Sequence, residues 1–215
     1  MEADGFRVRY LGAGQGDSVV ILDSTAWGWS PLNDALAKTY RVVVFEMPGM
    51  GSSSPNTTSG SVNDLASTMS QAVSSVVPGK FTLIGTSFAA NVALRQALLA
   101  PASVEALVLI SPTAIRPAAG VPTQTLDEMK ARLSAHPENI PSLPFGLIDN
   151  LTQEQTLAAR LGGTVNDSEV EGRLGDVQCA TLSLFGLADK TVEPQAAAIY
   201  REKIPNSNVS IVYDA

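Results

Sequence analysis

The chain has 215 residues, a length that favours one domain over two. Apolar residues make up 45% and charged residues 16%, which excludes an intrinsically disordered chain and a coiled coil. A net charge of −7, a pI near 4.7 and the lack of any Lys/Arg run argue against a nucleic acid or an anionic membrane surface as partner. One cysteine, Cys179, rules out an internal disulfide framework, and one histidine rules out the usual zinc sites, so no metal and no cofactor are expected. No apolar stretch approaches the roughly 20 residues of a membrane span, and the polar opening MEADGFRVRY is no signal peptide. A soluble, cytoplasmic protein is expected.

In chain order, Phe6–Leu11 and Ser18–Leu22 read as strands joined by a Gly-rich turn, and an antiparallel edge hairpin is predicted there. Pro31–Lys38 is a short helix candidate. Arg41–Glu46 is an apolar strand, as expected where helices cover both sheet faces. Ser61, with Asp64 three residues on, caps a helix carrying Val62, Leu65, Met69, Val73 and Val76 on one side; Pro78-Gly79 stops it. Lys80–Ile84 is a strand, Phe88–Leu99 a helix ended before Pro101, and Val104–Ile110 another strand.

Between Ser111 and Asp176 the alternation breaks. Helical patterns at Leu126–Ser134 and Gln153–Leu161 flank a Pro-rich stretch, Pro137 to Pro144, and no strand is legible. Strands Ala180–Phe185 and Asn208–Tyr213 then bracket a helix with Pro194 in its first turn. Strand–helix alternation implies right-handed crossovers and a mainly parallel, doubly wound α/β sheet. The division expected is a core of residues 1–111 and 177–215 with a helical cap insertion at 112–176.

The sharpest motif is Phe81-Thr82-Leu83-Ile84-Gly85-Thr86-Ser87-Phe88-Ala89, a buried strand, one tight turn and a helix start. A serine at such a turn stands above the sheet with its hydroxyl exposed. The Phe88 N–H beside it lies at the positive end of the new helix, where it stabilises an oxyanion. Gly85 and Ala89 are small because strand and helix cross closely there. The pattern is G-x-S-x-A, with alanine where a second glycine is commoner.

In this setting the chain resembles the α/β-hydrolase family over nearly its whole length. Val42-Val43-Val44-Phe45-Glu46-Met47-Pro48-Gly49-Met50-Gly51-Ser52-Ser53 is similar to that family's strand and D-x-P-G-x-G-x-S turn, with Glu46 for Asp. Leu184-Phe185-Gly186-Leu187-Ala188-Asp189 is similar to the G-x-x-D segment that carries the triad acid. The resemblance implies Ser87 as nucleophile and Asp189 as the acid that orients the base. It also implies a cap over the substrate pocket and no cofactor. The histidine base is implied just after the last strand, where the sequence reads Tyr213-Asp214-Ala215 and stops. The expectation is a chain truncated before its base and its final helix, and therefore catalytically crippled. His136, in Ala135-His136-Pro137, is read as a surface-loop imidazole and not as a substitute base.

The second oxyanion donor is assigned to the N–H of Thr25 or of Ser24, in a turn where Asp23-Ser24 replaces the His-Gly of many relatives. Trp27, Trp29, Met47 and Met50 sit on loops at strand carboxyl ends, and Trp27 and Met50 are assigned to the walls of an apolar substrate pocket. Gly12-x-Gly14-x-Gly16 lacks the helix of a dinucleotide fingerprint, and Gly49-x-Gly51-Ser52 lacks the lysine of a phosphate loop. The expected function is serine hydrolysis of a small apolar ester, or of a carbon–carbon bond next to a ketone. The expected partner is a small-molecule acyl substrate, and a bared sheet face would favour a homo-oligomer. The alternative is a non-catalytic α/β-hydrolase-fold protein that binds a small ligand.

Overall fold

The computed structural model describes residues 1–25, 28–115, 125–139, 147–163 and 166–215. Nine strands are formed among them. β1 (Glu2–Ala3) and β2 (Phe6–Arg7) make a small antiparallel pair, while β3 (Tyr10–Ala13), β4 (Ser18–Asp23), β5 (Arg41–Glu46), β6 (Phe81–Thr86), β7 (Val104–Ile110), β8 (Ala180–Gly186) and β9 (Ser207–Val212) make one sheet. Its order is β3-β5-β4-β6-β7-β8-β9, and every pairing is parallel except β3 with β5.

The predicted edge hairpin is corrected by this order. The single strand expected over Phe6–Leu11 is two pieces, and Tyr10–Ala13 pairs with Arg41–Glu46 instead of with Ser18–Leu22. The connecting turn leaves too wide for a hairpin, because Gly14 (φ 80°) and Gly16 (φ 103°) press onto the loop after the first helix. A Cβ on Gly14 would sit 2.1 Å from the Tyr40 carbonyl oxygen, so that approach requires glycine.

Strand alternation builds two apolar layers. Val20, Leu22, Val43, Phe45, Phe81 and Leu83 face the larger core, whereas Val19, Val42, Val44 and Ile84 face a smaller one. On the larger side lie α2 (Val62–Val76), α3 (Phe88–Leu99) and α7 (Ala196–Lys203); α3 rests on β4, β6 and β7, and α7 on β8 and β9. On the other side α1 (Pro31–Leu36) packs on β5, with Trp29 and Leu36 against the smaller cluster. Farther along that face Val108 and Ile110 are half-buried and Leu182 is exposed.

The described residues between β7 and β8 form α4 (Leu126–Leu133), α5 (Leu147–Arg160) and α6 (Ser168–Arg173), and they add no strand to the sheet. Helix α5 starts six residues before the predicted Gln153. Buried Arg95 of α3 ties this segment to the core. Its guanidinium bonds Asn91 (3.2 Å) and Asn63 (2.5 Å) and ion-pairs with Asp167, which also caps α6 through the Val170 N–H (3.0 Å). Arg95→Met is expected to cost about 3–5 kcal/mol by leaving Asp167 unpaired. Urea denaturation checks this, and adding Asp167→Asn should restore part of the loss.

Candidate active site

Ser87 occupies the turn between β6 and α3 with φ 55° and ψ −121°, a left-handed conformation that side-chain-bearing residues avoid. The turn is held from three sides. The Ser87 N–H donates to the Ile110 carbonyl (2.9 Å), and its own carbonyl accepts from Ala90 (3.2 Å) and Thr113 (3.3 Å). Ser87 makes no side-chain cap bond to α3; its hydroxyl points instead to Glu154 of α5.

Asp189 follows the end of β8. One carboxylate oxygen accepts from the main-chain N–H groups of Thr191 (2.7 Å) and Val192 (2.9 Å), the other from the Ser111 hydroxyl (2.8 Å). Three donors therefore orient this side chain. Ser87 and Asp189 line one cavity of about 330 Å³, together with Ile110, Leu184, Val212 and Ala215 from the sheet side and Ser134 and Ala135 from the segment after α4. The cavity is mostly apolar and brings the two sequence-predicted residues together.

His136 lies 3.1 Å through Nδ1 from Glu138 and 2.8 Å through Nε2 from Asp214, and it bonds neither Ser87 nor Asp189. Its two carboxylate neighbours, Asp214 foremost, raise its pKa.

The remaining predicted residues fall elsewhere. The Thr25 N–H is taken by the Asp23 carboxylate (2.9 Å), which also accepts from the Thr25 hydroxyl (3.1 Å) and the Gly28 N–H (3.0 Å). The Thr25 N–H is thus engaged by Asp23 in this structure. The short Asp23 side chain closes the turn on itself, and the Ser24 hydroxyl donates to Glu154, whose other carboxylate oxygen accepts from the Ser87 hydroxyl. Met50 is fully buried in the larger core and does not line the cavity, because the turn after β5 folds it inward. That turn is set by Glu46, which pairs with Arg9 and accepts from the Ser52 N–H (2.9 Å). Trp27 lies outside the described residues. Trp29 packs on the opposite sheet face and donates to Asp34 (2.7 Å).

One residue of the site carries no sequence motif. Glu154 of α5 is 7% exposed; it accepts from the Ser24 hydroxyl at 2.8 Å and from the Ser87 hydroxyl at 3.4 Å. Burial and then the nearby Asp23 charge push its carboxyl up, while Ser24, Ser87 and the Phe88 main-chain N–H favour the ionised form. Among the described residues no cluster of His, Cys, Asp and Glu suits a metal ion, and no helix is long and apolar enough to cross a membrane.

The family model for the alpha/beta hydrolase family matches residues 12–207, and the chain belongs to that family. A pimeloyl-[acyl-carrier protein] methyl ester esterase of Nitrosomonas europaea is 29% identical over 103 residues, 46% of this chain and 39% of that protein. A dihydrolipoyllysine-residue acetyltransferase component of an acetoin cleaving system from Cupriavidus necator is 30% identical over 119 residues, 52% of this chain and 31% of that protein. The chain thus spans well under half the length of these relatives.

Among solved structures, an N-acyl homoserine lactone degrading enzyme superposes with a TM-score of 0.79 at 18% identity, covering 100% of this chain and 91% of its own. A thermophilic esterase from Thermogutta terrifontis gives 0.72 at 22%, with 99% and 87% covered. A meta-cleavage product hydrolase from Pseudomonas fluorescens gives 0.76 at 16%, with 99% and 88% covered. An esterase, a lactone-degrading enzyme and a meta-cleavage product hydrolase thus share this fold.

Proposed function

We propose that the protein is a serine hydrolase of small, apolar, neutral acyl esters, with hydrolysis of a carbon–carbon bond next to a ketone as the second substrate class. The observation that carries this is the strained Ser87 elbow at the head of α3, sharing an apolar cavity with an Asp189 held by three donors. In the proposed chemistry the Ser87 hydroxyl attacks the acyl carbonyl and the developing oxyanion faces the Phe88 N–H and the Ser24 hydroxyl. The base this chemistry calls for is a histidine within reach of both Ser87 and Asp189. Asp189 orients it and stabilises the imidazolium. The segment at 112–176 serves as the cap that shapes the substrate pocket. Without a base in hydrogen-bond reach, the hydroxyl stays protonated near neutral pH and turnover is crippled.

The test is covalent labelling by a fluorophosphonate, followed by turnover of a series of p-nitrophenyl esters of increasing acyl length. Asp189→Asn in a chain carrying the base is expected to lower kcat about 10⁴-fold with the fold retained, as for a triad aspartate whose loss disorders the histidine. An unchanged kcat would remove Asp189 from the mechanism. A carboxylate seated against Ser87 favours the second reading, a non-catalytic protein that binds a small ligand. That reading predicts ligand binding with neither labelling nor turnover.

A further inference from the structure

Two hydroxyls donate to the Glu154 carboxylate, that of Ser24 at 2.8 Å and that of Ser87 at 3.4 Å, and the nearby Phe88 main-chain N–H also favours its ionised form. Once Ser87 Oγ has bonded to an acyl carbon, the Ser24 hydroxyl and the Phe88 N–H are the donors left for an oxyanion acceptor. Here the acceptor is supplied by α5, from the segment inserted between β7 and β8. We propose that the Glu154 carboxylate is the resting occupant of the oxyanion hole and a specificity-determining residue that admits neutral carbonyl substrates and rejects anions. The proposal rests on the serine hydrolase reading for what the hole is used for.

The surroundings of Glu154 supply no compensating cation. No Lys, Arg or His among the described residues bonds it, and Arg160, two turns along α5, donates to the carbonyls of Asn56 (2.8 Å) and Ser59 (2.5 Å). The charged group facing it from β4 is Asp23, itself anionic and engaged by Thr25 and Gly28. From β6 and α3 it meets only Ser87 and Phe88. A side chain that merely filled this space would be apolar or an amide, because a buried carboxylate is costly unless donors are waiting for it. The donors are waiting because the hole is built for negative charge.

A substrate carbonyl must therefore displace the carboxylate from Ser24, Ser87 and Phe88. A neutral ester meets this displacement alone. An anion meets it and also the repulsion of Glu154 and Asp23 at close range in a dry site. Protonation of Glu154 removes half of that barrier, and its raised pKa brings the change closer to neutral pH.

The experiment is calorimetric titration with butanesulfonate, whose charge is constant from pH 5 to pH 8, on the full chain and its variants. Wild type is expected to bind more weakly at pH 8 than at pH 5, because protonation of Glu154 removes its repulsion of the sulfonate. Glu154→Ala is expected to bind at pH 8 at least as tightly as wild type does at pH 5, with little pH dependence. Adding Ser24→Ala should cancel the gain. Glu154→Gln, which keeps the side-chain volume, should flatten the pH dependence even if the alanine variant fails to fold. Wild-type affinity with the wild-type pH dependence in Glu154→Gln overturns the proposal, as does a gain in Glu154→Ala that survives loss of the Ser24 hydroxyl. Fluorophosphonate labelling of the same proteins separates the two ideas. Sulfonate binding that responds to Glu154 without any labelling leaves the occupied hole standing and removes the hydrolase reading.

Discussion

Replacing Ser87 by alanine is expected to abolish fluorophosphonate labelling and to lower ester turnover by about 10⁴- to 10⁶-fold in a chain carrying the base, the scale reached when a triad nucleophile is lost. Binding of a neutral ester should be nearly unchanged, because the cavity walls and the oxyanion donors remain. Ser87→Gly sharpens the test. Ser87 sits at φ 55°, where a Cβ is strained, so glycine should match or exceed the wild-type stability by about 1 kcal/mol while remaining inactive. Urea denaturation beside labelling reads both quantities. An alanine variant that still labels at wild-type rate would place the nucleophile elsewhere. A glycine variant less stable than wild type would show that the elbow is held by the serine hydroxyl and not in spite of the backbone.

Gly85 is a position where a large loss of stability is expected from a single added side chain. A Cβ there would lie 2.5 Å from the Ala89 carbonyl oxygen and 2.7 Å from both the Ala89 carbonyl carbon and the Ala90 Cα. All three are backbone atoms of α3, which cannot rotate away as a side chain would. Gly85→Ala is expected to cost at least the 1–3 kcal/mol typical of overpacking, and Gly85→Val more, with failure to fold at 37 °C as the extreme. Because β6 and α3 together hold Ser87, the alanine variant should lose labelling rate at temperatures where it is still folded. Circular dichroism with a labelling time course checks this. An alanine variant with wild-type Tm would mean that α3 can lift off the strand, and the close-crossing account of the elbow would fail.

Much of this architecture is legible in the residues. Phe88–Leu99 is the observed α3, and Ser61 caps α2 by accepting from the Asp64 N–H (3.1 Å) as its spacing predicts. These succeed because helix periodicity, capping and the small-residue demands of a tight turn are local properties. The Ser87 and Asp189 positions belong to the same class, since each sits at the carboxyl end of a recognisable apolar strand.

What escaped is non-local. The pairing of Tyr10–Ala13 with Arg41–Glu46 depends on how the Gly14–Gly16 turn meets Tyr40, a contact across more than twenty residues. Met50 looked like a pocket wall from its place at a strand end, yet it turns into the core. Thr25 is a local exception, its N–H taken by the Asp23 carboxylate two residues back.

Glu154 is the most telling case. It shares a helix face with Leu157, Ala158 and Leu161, all buried, so an acidic residue on an apolar stripe was the trace it left in the sequence. That trace says only that the carboxylate is buried. Its partners, Ser24 and Ser87, lie 130 and 67 residues away, and folding alone brings them within hydrogen-bond distance. The sequence by itself determined the alternating strands and helices, the Ser87 elbow and the place of Asp189 after β8, because backbone preference and hydrophobic period act between near neighbours. Only the tertiary structure decided what faces the Ser87 hydroxyl, because a buried charge takes its meaning from the donors around it, and those come from the turn after β4 and from the β6–α3 elbow.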